Sequence, residues 1–222
     1  GRILVGQSAA ADAESISFRP SRYGPEDIRI VIAEGEIVIA GGRPRGTLYG
    51  VYTFAEDYLG VRFLTADHTH VPRLPESRLM SAVDRTYSPP IPWRYTYYGE
   101  NHDHHDFAVR LRQNAIAADE KYGGLSDQRL INHSVSGLLP WSKYGAQHPE
   151  YFCLRDGKRP TKLLGHQTYE IQPCFSNPEA RRIMLGALRE QIKREYPKWK
   201  GFSVSQDDND EFCTCPDCAA KD

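Results

Sequence analysis

Asp207, Asp208, Asp210 and Glu211 place four carboxyl groups within five positions, directly ahead of three thiols spaced C-x-C-x-x-C at Cys213, Cys215 and Cys218. Crowded carboxyl groups resist ionising together, so one of them can keep a proton near neutral pH and act as a general acid. Side chains of an extended chain alternate in direction, so Asp207 and Asp208 face one ligand together only where the backbone bends. A solvated acidic loop, with or without a cation, is the plainer reading of the same run. The thiols have the spacing of one half of a metal site, which Cys174 or Cys153 would complete as a four-thiolate tetrahedron. A structural zinc, a disulfide between two of the thiols and free thiols all remain open; a metal with a catalytic role is not expected.

Further polar groups with chemical potential gather elsewhere. Glu100, His102, Asp103, His104, His105 and Asp106 form one run. Carboxylates at a helix start account for much of such a run, and sugar contact is the functional reading for Glu100 and His102. His133 is a comparable candidate. Trp141 and Tyr144 offer aromatic faces suited to the C–H face of a sugar or to ordinary packing. His148 and Glu150 read as a turn that fixes a long loop over Tyr151 and Phe152.

The elements that position these groups follow from periodicity. Phe202 and Val204 alternate with Ser203 and Ser205, which reads as a strand releasing the acidic run from its C-terminal end. That is where α/β barrels present catalytic acids. Trp93–Tyr98, Leu130–Val135 and Ile171–Phe175 read as three earlier strands, with a helix over His105–Ala118. A second helix follows an Asn177 cap, Pro178 and Glu179, carries Ile183, Met184, Ala187, Leu188 and Ile192 on one face, and stops at Pro197. Residues 93–222 therefore read as the first half of a TIM-type (β/α)8 barrel. Since such a barrel takes about 250 residues, the chain is expected to be part of a longer protein, with catalytic partners beyond Asp222.

Residues 1–83 read as a small α/β accessory domain. It has a short strand at Ile3–Val5, a hairpin of Ile28–Ile32 and Glu36–Ile39 turning at Glu34-Gly35, a helix from Leu48 to Leu59 ended by Gly60, and a last strand at Val61–Leu64. The helix is expected on one face of the sheet. Gly41-Gly42-x-x-x-Gly46 lacks the Lys-Ser/Thr of a phosphate loop and reads as loop geometry ahead of a helix. Prolines punctuate residues 84–92, which read as a linker.

A formal charge of −1 over 222 residues gives no reason to expect a nucleic-acid partner. No apolar run approaches the ~18 residues of a membrane span. Thirteen tyrosines, three tryptophans and eight histidines suit a surface that meets carbohydrate.

Two stretches carry a family resemblance. Gly46-Thr47-Leu48-Tyr49-Gly50-Val51-Tyr52-Thr53-Phe54, continuing through Leu59-Gly60-Val61-Arg62-Phe63, resembles the accessory domain ahead of the barrel in family 20 hexosaminidases and family 67 α-glucuronidases. His148-Pro149-Glu150-Tyr151-Phe152, Gly157-Lys158-Arg159, Cys174-Phe175-Ser176-Asn177-Pro178 and Asp208-Asn209 before the three cysteines resemble domain-of-unknown-function family 4838, part of which is classed as glycoside hydrolase family 163. The resemblance implies a glycosidase acting on N-acetylhexosamine-containing glycans or glycoproteins, of the endo-β-N-acetylglucosaminidase, retaining kind. It implies Asp208 as the favoured acid beside Asp207, Asn209 as a substrate hydrogen-bonder, and a bacterial protein placed outside the cytoplasm. A non-catalytic carbohydrate-binding protein on the same scaffold, or an α-glucuronidase-like enzyme, are the alternatives.

Overall fold

A computed structural model describes residues 1–11, 13, 16–33, 35–73, 81–126, 133–161 and 171–221. The fold is mixed α/β, with a small sheet and several helices. It divides into two compact units, 1–126 and 127–222.

In the first unit, β-branched runs supply the sheet. Strands β1 (Arg2–Val5), β2 (Ile28–Ala33), β3 (Glu36–Gly41), β4 (Arg62–Phe63), β5 (Thr69–His70) and β6 (Val83–Tyr87) occur in chain order. The main sheet runs β1-β3-β2-β6, with β1 parallel to β3 and the other pairs antiparallel. The β2–β3 register sets Ile30 opposite Ile39 and Ile32 opposite Ile37 on one face, and Val31 opposite Val38 on the other. Helix α2 (Gly46–Leu59) packs Tyr49 and Phe54 on the isoleucine face. Helix α1 (Gln7–Ala11) and Phe18 cover the valine face through Ala10. Both faces are thus covered, where a single helix layer is the simpler expectation, because alternate positions of β2 and β3 are apolar on both sides. Each isoleucine buried this way contributes about 1.5–3 kcal/mol.

The ends of this layer differ from the sequence reading. Arg62 and Phe63 pair with His70 and Thr69 in a separate two-stranded sheet. The fourth strand of the main sheet is β6, inside the stretch whose prolines suggest a linker. The prolines begin only at Pro89, after the strand has ended. The charges of β6 suit a sheet edge: Asp84 pairs with Arg29 at 2.8 Å and Arg85 with Asp57 at 2.6 Å. The hairpin turn at Glu34 lies outside the described residues.

The glycine loop is structural. A Cβ on Gly42 would lie 1.6 Å from the Gly24 carbonyl oxygen, so only glycine lets β3 leave the sheet there. The Gly46 amide donates to the carbonyls of Pro25 and Gly42, so the start of α2 spends that donor on the chain itself. Gly60 ends α2 in the left-handed conformation, as expected of a C-terminal glycine.

Beneath α2 lies a buried polar network. Glu26 accepts from Arg45 Nε at 2.7 Å and Asn114 Nδ2 at 2.7 Å, and it also pairs with Arg94. Arg45 donates onward to the Gly123 carbonyl at 2.9 Å, and Tyr49 donates its hydroxyl to Gln113 O at 3.1 Å. These bonds explain two corrections. Helix α3 (Gly99–Asp103) is followed by α4 (His105–Arg110), which ends well before Ala118. Arg112 turns left-handed at φ 59°, and Gln113 and Asn114 are drawn into the network. Trp93–Tyr98 pairs with Asn114 through backbone and side chain at Arg94 and forms no ladder.

The second unit is helical among the described residues, with α5 (Val135–Leu138), α6 (Trp141–Tyr144), α7 (Pro178–Glu195) and α8 (Pro216–Ala219). Asn177 caps α7 by accepting from the amides of Glu179 and Ala180 at 2.9 and 3.0 Å, as the sequence signals. Met184 and Ala180 pack on Val135, Leu139, Phe152 and Ile171. The expected strands at Ile171–Phe175 and Gly201–Ser205 are not laddered: the first makes one isolated bridge, Pro173 to Phe152, and the second none. Their backbones are engaged by isolated bonds instead: the Cys153 amide donates to Gln172 O and the Cys174 amide to Tyr151 O, each at 2.8 Å, while the Ser134 amide donates to Ser205 O and the Ser134 hydroxyl to Ser203 O, each at 3.1 Å. Residues 130–132 of the other expected strand lie outside the described residues, and Val135 opens a helix. No barrel ladder is formed among the described residues.

Replacing Glu26 with alanine should leave Arg45, itself only 7% exposed in its side chain, buried without its carboxylate. A loss of about 3–5 kcal/mol is expected from urea unfolding; a loss below about 1 kcal/mol would show that the network is incidental.

Candidate metal centre

Three short segments bring four thiols together. Cys174 stands just before the Asn177 cap, where the Asn177 amide donates to the Cys174 carbonyl at 3.0 Å. Cys213 is pinned beside Leu154. Its Sγ accepts the Leu154 amide at 3.2 Å, and the Thr214 amide and hydroxyl each donate to Leu154 O at 2.7 Å. Cys215 caps α8, and Cys218 follows three residues later on the same side of that turn, with its amide 3.0 Å from Cys215 O. The Cys174 sulfur lies 3.7 Å from that of Cys215 and 3.8 Å from that of Cys218, and all four sulfurs lie within 4.8 Å of one another. Sulfurs at about 2.3 Å from a tetrahedral ion sit about 3.8 Å apart. This cluster can hold a metal such as zinc.

All five cysteines are free thiols, and separations of 3.7–3.8 Å are far from the roughly 2.05 Å of a disulfide. Of the two candidates for the fourth position, Cys174 occupies it. Cys153 is buried elsewhere in the core, where desolvation raises its thiol pKa.

The surroundings already favour thiolates unequally. Ser176 Oγ lies 3.2 Å from Cys174 and Cys218 and 3.3 Å from Cys215. That hydroxyl, then the Cys218 amide, pushes Cys215 down to about 6. Burial raises the Cys174 thiol, but Ser176 and its other donors outweigh it and leave a net lowering. Burial carries Cys213 up to about 12 in spite of the Leu154 and Cys215 amides. Hydroxyl and amide donors to sulfur are the outer-shell partners that orient and stabilise thiolate ligands.

The acidic segment leads into this cluster. Asp207 is wholly buried and accepts from the Ser136 hydroxyl at 3.1 Å. Gln172, 2% exposed, grips the same bend: its Nε2 donates to Asp207 O at 2.8 Å and to Asn209 Oδ1 at 3.2 Å. Asn209 Oδ1 also accepts the Glu211 amide at 3.0 Å. Asp208 and Asp210 are exposed. The two neighbouring aspartates therefore have opposite environments, as alternation requires, and Asn209 serves the bend.

The remaining candidates are dispersed. His133, left-handed at φ 52°, brings Nδ1 to 3.3 Å from Gln206 O, one residue before Asp207. Trp141 packs against the core, with its ring over Gly145. Glu100 and His102 belong to the first unit. Glu100 accepts the Ala66 amide at 2.7 Å, and the exposed His102 ring lies edge-on to Tyr95 with Nε2 3.1 Å from Thr96 O. His148 stacks on Tyr151 at 4.6 Å and holds Glu150 at 3.0 Å, a turn over Tyr151 and Phe152 as the sequence suggests. Sequence reading passed over Gln172, Ser136 and the sulfur-facing role of Ser176. Only Ser176 had a signal, its place between Cys174 and the helix cap.

A family model described as a domain of unknown function (DUF4838) matches residues 63–222. The chain belongs to the DUF4838 family. No curated protein and no solved structure matches it. The DUF4838 match contains all four clustered thiols, the acidic segment and the Gln172 latch.

Within this DUF4838 unit, Gln172→Leu should strand the polar groups of the Asp207–Asn209 bend. A loss of about 1–3 kcal/mol is expected from denaturant unfolding. A variant as stable as the parent would show that the latch carries no load.

Proposed function

We propose that Cys174, Cys213, Cys215 and Cys218 hold one zinc ion as thiolates, and that this centre braces the acidic segment of a glycan-hydrolysing protein. The observation that carries the proposal is the convergence of four sulfurs within 4.8 Å of one another. Four protein sulfurs complete a tetrahedron and leave no position for water, which makes the centre structural. Its brace acts through sequence proximity, since Cys213 follows Glu211 by two residues and the bend at Asp207 is gripped by Gln172.

The glycan reading rests on the motif resemblance together with membership of DUF4838. In it the chain is an accessory domain plus the first half of a TIM-type barrel, from a secreted bacterial enzyme of the glycoside hydrolase family 163 kind. The substrate class is an N-acetylhexosamine-containing glycan, cleaved with retention. Asp208, exposed beside the buried Asp207, is the carboxyl group that the motif resemblance favours for the acid's role. His133 and Trp141, in the same unit, are its proposed sugar contacts. A carbohydrate-binding protein without turnover is the alternative that activity measurements separate.

Elemental analysis of protein purified without added chelator should give one zinc per chain. Serine in place of any of the four thiols should lower occupancy, and Cys153→Ser should not. Binding should strengthen as pH rises through neutrality, because zinc must displace the remaining thiol protons, above all that of Cys213. Sub-stoichiometric zinc together with a mass two hydrogens short per thiol pair would replace the metal with a disulfide.

For the hydrolytic reading, Asp208→Asn in the protein that carries this chain should lower turnover of glycoprotein glycans by roughly two to four orders of magnitude while zinc content stays at one. Unchanged turnover would remove Asp208 from the chemistry.

A further inference from the structure

The first unit holds a cavity of about 320 Å³ lined by its own residues. Its size lies at the lower end of the roughly 300–1,000 Å³ usual for small-molecule sites. Ile28, Tyr49 and Thr53 form a buried floor, and Tyr87, Pro90 and Ile91 form an open apolar rim. The register explains this placement. Tyr87 and Arg85 lie opposite Ile28 and Ile30 on β2, so both project to the side of the sheet that α2 covers.

Three guanidinium groups, Arg85, Arg94 and Arg112, line the cavity against two carboxylates, Glu26 and Asp57. Glu26 is already taken by Arg45, Arg94 and Asn114, and is 7% exposed. Arg94 is largely committed as well, to Glu26, the Arg112 carbonyl and the Ile91 carbonyl. Arg112 pairs with Glu56 outside the lining. Arg85 is the adaptable one. Its side chain is 41% exposed, bonds Asp57 through one nitrogen, also engages the Tyr58 hydroxyl, and stands 6.0 Å from the centroid of the Tyr87 ring. A planar fork with donors to spare, beside aromatic and proline surface, suits a carboxylate carried on a ring.

We propose that this cavity binds a small ring-bearing carboxylate, with the ring against Tyr87 and Pro90 and the carboxylate on Arg85. An acidic sugar and an aromatic acid share that chemistry. The site is independent of the zinc and hydrolysis reading, since none of its lining residues lies in the second unit.

Saturation-transfer NMR on the 222-residue chain tests it with glucuronate, benzoate, glucose and inorganic phosphate as probes. One of the two acids should saturate in the millimolar range, and which one does so identifies the source. Glucose, lacking the carboxylate, and phosphate, lacking the ring, should bind at least about tenfold more weakly. Arg85→Gln should weaken the acid by about tenfold or more, and this exposed pair with Asp57 can be lost at little cost to folding. Tyr87→Ala should weaken it as well. Arg29→Gln, at a position of β2 whose side chain points to the opposite face, should leave binding unchanged. Failure of both acids to saturate, equal binding of glucose, or full binding by Arg85→Gln would overturn the proposal.

Discussion

A single carboxylate, Glu26, holds the first unit in register. It sits below α2 with two guanidinium groups and an amide as partners, in a place where an unpaired charge would cost several kcal/mol. Those partners come from distant stretches of the chain, so the network fixes where residues 94, 112–114 and 123–125 must run relative to the sheet. The hydrophobic layers on either side of β2 and β3 supply most of the stabilisation. The charge network supplies specificity, because apolar packing alone would tolerate a shifted chain.

The second unit is organised differently. Its apolar core is assembled from short helices, turns and one long helix, with little backbone laddering among the described residues. Side chains do what a sheet would otherwise do: Ser134 binds the 203–205 backbone, Gln172 binds the Asp207 bend, and Thr214 binds Leu154. The acidic segment therefore takes its shape from a few polar bonds and from the thiol cluster that follows it.

Much of this was legible in the sequence, and the misses share a cause. The hairpin of β2 and β3, helix α2 with its glycine stop, and the capped start of α7 follow from local signals, namely alternation, helical spacing, and Asn-Pro-Glu. The C-x-C-x-x-C spacing marked three of the four thiols, and Cys174 remained one of two candidates because spacing alone cannot say which distant residue folds back. The strand expectations at 93–98, 171–175 and 201–205 failed for the complementary reason. Alternation reports an extended chain with two different faces, but a strand also needs a neighbour that pairs with it over several residues, and the backbone bonds here stop after one or two. The same limit hid the opposite burial of Asp207 and Asp208, because nothing local announces that Gln172 and Ser136 close over one of them.

The placement of Cys174 relative to its three companions has a topological meaning. Forty-one residues separate it from Cys215, and α7 lies wholly between them. An ion shared by both ends would close that stretch into a ring in the folded chain, and unfolding would have to give the ion up. Its binding free energy would therefore count toward the folded state. The long helix, with only Ala180 and Met184 fully buried along its length, is the element with most to gain from such a tether. On this view the sulfur cluster makes the seating of a helix it never touches depend on whether the metal is bound.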